Sequence, residues 1–191
     1  MNLKDIFKIT RSYRRFHQDY EVAADILTDV VENVRYSASA ANLQPLKFII
    51  VNDKDTNAAL FQHLKWAAYL KDWDGPEEGE RPTAYIVMLG DRGLSRYVDW
   101  DCGIALQTIL ISLTEKGLGA CAIASFNKDA VRDMFKVQDS LEIPLVIAIG
   151  KVKETVVIDD VKDGNIKYWR DEHNTHHVPK RKLDDIIFWT M

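Results

Sequence analysis

Tyr36-Ser-Ala-Ser-Ala-Ala-Asn42-Leu-Gln44-Pro45-Leu-Lys-Phe-Ile-Ile-Val51 joins two kinds of sequence that fold differently. Up to Pro45 it is small residues and two carboxamides, the composition of an irregular loop. From Phe48 it is an apolar run closed by Asn52-Asp53, which reads as a buried strand. Pro45 fixes the turn between them. Asn42 and Gln44 each carry a donor and an acceptor, and Ser39, Ala40 and Ala41 are small enough to let a flat ring approach the backbone. A loop that satisfies its own backbone has the same composition.

Working outward, Asp19 is a candidate N-cap, and Ala23, Ile26, Leu27, Val30, Val31 and Val34 recur at helical spacing, predicting a helix to about Arg35. After the strand, Asp55 to about Leu70 returns to helical rhythm. Asp74-Gly-Pro-Glu-Glu-Gly-Glu-Arg-Pro82 then breaks it as a loop or lid. Ala84–Gly90 reads as a second buried strand. Tyr97–Lys116 reads as the longest apolar helix, closed by Gly117. Apolar residues ring that helix nearly all round, which nominates it as the centre of a dimer interface. Ala120–Ser125 is a third strand, Lys128–Phe135 a short helix and Leu145–Gly150 a fourth strand of sheet-interior character. Beyond Lys153 periodicity fades, with a last helical turn or two at Lys182–Phe188. Helices alternate with strands and no repeat appears, which predicts a three-layer sandwich of helices on a mixed sheet.

A chain of 191 residues suits one domain, and 47% hydrophobic with 28% charged residues is ordinary for a globule. A formal net charge of −4 argues against a nucleic-acid binder. Cys102 and Cys121 are too few for a disulfide framework and sit in apolar runs, so the expectation is reduced thiols and the cytoplasm. Met1–Asp5 has no apolar signal core, and no run reaches the roughly 20 residues of a membrane span.

Upstream, Thr10-Arg11-Ser12-Tyr13-Arg14-Arg15-Phe16 places three guanidinium groups and a hydroxyl within five residues. Such forks bind phosphate oxygens two at a time, although a basic run is also the ordinary look of a solvated face. Together the two segments suit a ligand anionic at one end and flat and polar at the other, as flavin mononucleotide (FMN) is.

These segments resemble the nitroreductase family, whose signatures are Arg-Ser-x-Arg-x-Phe near the start and Pro-Ser-x-x-Asn-x-Gln-Pro-Trp further on. Asp99-Trp-Asp-Cys-Gly-Ile-Ala-Leu-Gln107 with Glu115-Lys-Gly-Leu-Gly-Ala-Cys-Ala-Ile123 resembles the family's central helix and glycine turn. Val178-Pro-Lys-Arg-Lys-Leu-Asp-Asp-Ile186 resembles its closing basic motif. The resemblance implies an α+β fold, a three-layer α-β-α sandwich with a mixed, mainly antiparallel sheet, as one domain over residues 1–191. It also implies a homodimer with two FMN clefts at its interface, residues from about 154 to 191 reaching the partner. Carried over by position, Arg11, Ser12 and Arg14 would hold the phosphate, ribityl chain and pyrimidine edge, with Arg15 in the same cluster. Ser39, Asn42 and Gln44 would line the ring, Lys180 or Arg181 would add charge at the phosphate, and backbone amides at Ile123 and Ala124 would face the reactive nitrogen. Thr10, Ala38 and Leu46 stand where many relatives carry Arg, Pro and Trp.

The implied activity is transfer of hydride from NADH or NADPH through FMN to a small oxidised acceptor such as a nitroaromatic or quinone, with ping-pong kinetics. Arg14 is the expected positive group at the pyrimidine end. Dehalogenation, flavin fragmentation and non-catalytic FMN storage or sensing are the alternatives. No side chain is nominated as a catalytic acid, base or nucleophile. Trp66, Tyr69 and Trp73 are candidates for the acceptor pocket, with core packing as their plainer role. His173, His176 and His177 would have metal-ligand spacing only on a helix, and an exposed tail without a metal is expected. Asp99 and Asp101 are expected to cap the long helix.

Overall fold

A computed structural model describes residues 2–190, so the two terminal methionines of the expected 1–191 domain lie outside the described residues. The chain runs α1 (Leu3–Ile9), β1 (Phe16–His17), α2 (Ala24–Arg35), β2 (Leu46–Val51), α3 (Lys54–Phe61), β3 (Ala84–Asp91), α4 (Val98–Glu115), β4 (Gly119–Ile123), α5 (Lys128–Phe135) and β5 (Leu141–Val152). After these come β6 (Val156–Asp160), β7 (Trp169–Arg170) and β8 (His176–Lys180).

β5 organises the main sheet. It pairs antiparallel with β3 and β4 and, at its end, with β1, while β2 extends the sheet beyond β3. Side chains alternate across a strand, so β3 feeds two cores. Tyr85, Val87 and Leu89 join Leu60 of α3 and Val131 of α5 on one face. Ala84, Ile86 and Met88 join Leu27 and Val30 of α2 and Cys102, Ala105, Ile109 and Leu113 of α4 on the other. Helices therefore cover both faces of an antiparallel sheet, which makes the three layers of an α-β-α sandwich. Ile143 and Pro144 both lie opposite Leu89, because the register slips between Met88 and Gly90. A proline without an N–H is tolerated in this central strand at such a bulge.

Several boundaries differ from expectation for identifiable reasons. The second helix begins at Ala24 with Ala23 at its N-cap and no side-chain cap, and Asp19 lies in the preceding turn. The helix expected over Asp55–Leu70 stops at Phe61. There the Lys65 N–H donates to Ser125 O at 2.9 Å and the Asn127 N–H to His63 O at 2.9 Å, pulling the chain alongside the end of β4. The Gly- and Glu-rich interval is fastened rather than free: Glu80 takes Arg15 and Lys153, and the Gly79 and Arg81 N–H groups donate to Gln18 Oε1.

The stretch that lacks periodicity holds a second, three-stranded sheet in which β8 pairs parallel with β6 and antiparallel with β7. Residues 154–180 thus fold largely onto their own chain, whereas every residue from Arg181 to Thr190 is exposed. Within that tail only Leu183–Asp185 forms a short 3-10 turn. No described helix is long and apolar enough to cross a membrane.

Candidate functional site

α4 carries the two candidate segments at its opposite ends. Near its start, Asp101 is buried and accepts hydrogen bonds from Ser39 Oγ at 2.8 Å and the Ala40 N–H at 2.9 Å. Near its end, Thr114 Oγ1 lies 3.0 Å from Thr10 Oγ1, fixing the chain just before the arginines. Thirteen residues of helix at 1.5 Å each put these anchors about 20 Å apart.

The first end is a strained cradle. Ala41, Asn42 and Gln44 all have positive φ, at 49°, 56° and 50°. Non-glycine residues occupy that region at a cost, and clusters of them mark backbone shaped for a purpose. Ser39 closes the loop by accepting the Gln44 N–H at 2.9 Å while bonded to Asp101, so its hydroxyl is occupied within the cradle. The Asn42 and Gln44 side chains are exposed, with Gln44 Nε2 donating to Asn42 Oδ1 at 3.2 Å. Beside them a cavity of about 430 Å³ opens between α2, this loop and α4, lined among others by Arg35, Ser39, Asn42, Gln44, Phe48 and Asp101. None of the candidate arginines lines it. Asp101 therefore positions the loop instead of capping α4, and Asp99 pairs with Arg92 at 2.8 Å.

The second end gathers charge. Ser12 bridges to Ala120 of β4, and the Tyr13 N–H donates to Ala120 O at 3.0 Å, so the arginine segment runs beside the strand that leads to Ile123 and Ala124. Arg11 is half-buried; its Nη2 donates to Phe7 O at 2.7 Å, and its buried Nε has no partner. Arg14 is only 9% exposed. Its Nη1 lies 3.2 Å from Ser12 O and 3.1 Å from His176 Nε2, and its guanidinium sits 4.8 Å from the Tyr168 ring centroid. No carboxylate of the described residues forms an ion pair with it. Glu154, whose side chain is fully buried, instead accepts the Arg14 and Arg15 backbone N–H groups and pairs with Arg170 at 3.0 Å.

Both prongs of the Arg15 guanidinium are on Glu80, with Nη2 to Oε1 at 2.7 Å. That pairing raises the Arg15 pKa and holds Glu80 below the usual carboxylate range. Lys180 and Arg181 are exposed at the far end of β8, about 13 Å along the strand from His176, and the structure does not set them against Arg14. Ile123 is buried and Ala124 exposed where β4 ends.

Sequence reasoning missed Glu154, Tyr168 and Arg170, and weighed His176 only as a metal ligand; these four residues, in and beside the second sheet, enclose Arg14. Single polar and aromatic residues on, or just before, strands two to five residues long leave no periodic signal. β8 is a strand rather than a helix, so His176 and His177 face opposite ways. His176 is fully buried against Arg14, and His177 lies between Asp159 at 2.8 Å and Asp171 at 3.4 Å with Trp169 stacked on it. No group of three or more His, Cys, Asp or Glu among the described residues is arranged to hold a metal ion. Trp66 is a core residue, packed on Phe61 and Trp73 and closely overlain by Gly75. Trp73 stacks on Arg170, while Tyr69 is exposed against Tyr168. Burial pushes the Cys102 thiol up to about 11 and raises Cys121 as well, so neither is a thiolate at neutral pH.

Solved structures share this architecture. A nitroreductase family protein from Streptococcus pneumoniae TIGR4 superposes with a TM-score of 0.73 at 16% identity, over 99% of this chain and 100% of its own. An FMN-dependent nitroreductase from Clostridium difficile R20291 gives 0.65 at 23% identity, over 80% and 88%. The fold is thus that of the nitroreductases. The Nitroreductase family model matches residues 8–151, and the chain belongs to that family. Among its relatives, an oxygen-insensitive NADPH nitroreductase of Helicobacter pylori is 27% identical over 173 residues, 73% of this chain and 82% of that one. An NADH dehydrogenase of Thermus thermophilus is 26% identical over 168 residues, with the same coverage.

Proposed function

We propose that the protein is a cytoplasmic, FMN-dependent oxidoreductase that takes hydride from NADH or NADPH and delivers it to a small oxidised acceptor such as a nitroaromatic or quinone. The observation that carries this reading is the separation of the two half-sites by the length of α4. Each end alone is incomplete, one cationic and the other a carboxamide cradle. A second copy packed two-fold against α4 brings the cationic end of one chain to the cradle of the other. Trp100 and Ile104, apolar and exposed on α4, supply a surface for that packing, as do Leu3 and Phe7 of α1. Exposed Ile186, Phe188 and Trp189 offer apolar surface through which the C-terminal extension, from about 154 to 191, would reach the second copy.

The residues present fit FMN. A buried guanidinium without a carboxylate is costly unless an anion completes it, and Arg14 has that character. Arg11 Nε is a second donor without an acceptor. Bound FMN would supply the hydride chemistry. Arg11 and Ser12 would hold the phosphate and ribityl chain, with Lys180 and Arg181 as more distant positive charge. Arg14 would favour negative charge at the pyrimidine edge. Asn42 and Gln44 of the second copy would read the ring's polar edge, while Ser39 and Asp101 keep that loop in shape. Backbone amides at Ile123 and Ala124 would border the ring. Nicotinamide and acceptor would occupy the same open face in turn, giving ping-pong kinetics.

Purified protein should be yellow, dimeric and bleached anaerobically by NADH or NADPH, with colour returning on addition of a quinone. A colourless monomer that takes up no added FMN would refute the reading. Bound flavin that stays yellow with both nucleotides would favour storage.

A further inference from the structure

His176 lies on β8, outside the residues the family model matches, yet it is the side chain that meets the Arg14 guanidinium. It is fully buried, and its Nε2 lies 3.1 Å from Arg14 Nη1. Guanidinium nitrogens only donate, so Nε2 must accept and the ring is neutral with its proton on Nδ1. Nδ1 is itself buried and has no partner among the described residues. The ring is therefore not held by a backbone hydrogen bond of its own. Its polar contact is Arg14, and its flat face meets Tyr168, with centroids 5.2 Å apart. Tyr168 in turn lies under the same guanidinium.

We propose that His176 is a positioning residue for Arg14, its Nε2 lone pair and the Tyr168 face together aiming the guanidinium at the flavin's pyrimidine edge. The proposal rests on the reading of Arg14 given above. Arg14 ahead of β1, Tyr168 and Arg170 at β7 and His177 beside it on β8 face the ring, while Glu154 after β5 and Cys121 on β4 are neighbours of Arg14. Burial, with Arg14, Arg170 and His177 adding positive charge, pushes the His176 pKa down to about 4. The accepting form therefore persists across the neutral range. Protonation would set an N–H against an N–H and free the guanidinium.

The test compares His176→Leu, His176→Gln and Arg14→Ala as FMN-loaded dimers, reading FMN dissociation constant and midpoint potential. His176→Leu should weaken FMN binding about tenfold and lower the potential in the same direction as Arg14→Ala, while His176→Gln, which keeps an acceptor, stays within about twofold of wild type. If Arg14→Ala shifts both quantities and His176→Leu shifts neither, the positioning role is overturned and the Arg14 reading stands. If Arg14→Ala shifts neither, that reading itself fails. Nitrogen NMR of the flavin-free wild type gives a check that needs no variant to fold: a proton on Nδ1 at pH 7 supports the inference, and a proton on Nε2 overturns it.

Discussion

Ser39 Oγ donates to Asp101 Oδ2 at 2.8 Å, so a loop that precedes β2 takes its shape from the first turns of α4. The other carboxylate oxygen takes the Ala40 N–H, and the Ser39 hydroxyl also accepts from Gln44. One buried side chain thereby over-determines a run with three left-handed residues.

Asp101→Ala should destabilise the fold by about 1–3 kcal/mol, because it strands a hydroxyl and a backbone N–H. Asp101→Asn keeps one acceptor and should lose less. Urea denaturation measures the cost, and FMN occupancy of the same samples should fall with it. A loop that keeps wild-type FMN affinity in Asp101→Ala would show that the cradle is indifferent to its anchor.

Arg11 and Arg15, adjacent in type and near in sequence, should separate cleanly. Arg11→Ala should weaken FMN binding by roughly 10–100-fold, the worth of a charge-assisted phosphate contact, with little loss of stability. Arg15→Ala should do the reverse, costing about 1.5–3 kcal/mol of stability as Glu80 loses its two-pronged partner while FMN affinity holds. Paired melting and flavin titration of the two variants decide it.

The two β8 histidines should pull stability in opposite directions with pH. The Asp159 and Asp171 hydrogen bonds raise the His177 pKa against the opposing effect of burial. Its contribution is present in full below the unfolded value of about 6.5 and is lost as pH rises through the higher folded value. His176 has the lower folded value of about 4, so the unfolded chain takes up its proton first and stability falls on acidification from about 6.5 to 4. That loss is on the order of 3 kcal/mol across the window. Denaturation curves from pH 4 to 8 should show His176→Gln flattening the acid limb and His177→Gln flattening the limb above about 6.5.

Gly75→Ala should destabilise by more than about 1 kcal/mol. Its φ of +130° suits glycine, and a Cβ there would lie 2.5 Å from Trp66 Cδ1. Gly79→Ala, with a positive φ but open space, should cost less. Thermal melts of the two rank the steric part directly.

Long periodic elements were legible because one face of each is dictated by the core: α5 falls on Lys128–Phe135 as expected, and α4 within one residue at each end. β5 runs further than its apolar centre because Glu142, Pro144 and Lys151 disguise its ends. The cradle and the arginine segment could be named, but not the placement of each at its own end of α4. Arg15 could not be told from Arg14, since Glu80 lies 65 positions away and only the folded chain brings it near. The second sheet was invisible because its strands are two to five residues long and carry no apolar repeat.

The division of labour along α4 has a genetic corollary on the proposed pairing. A mixed dimer of an Arg11→Ala chain and an Asp101→Ala chain carries one cleft with both lesions and one with neither. Two deficient variants, allowed to exchange subunits, should complement each other and restore about a quarter of all clefts at random assortment.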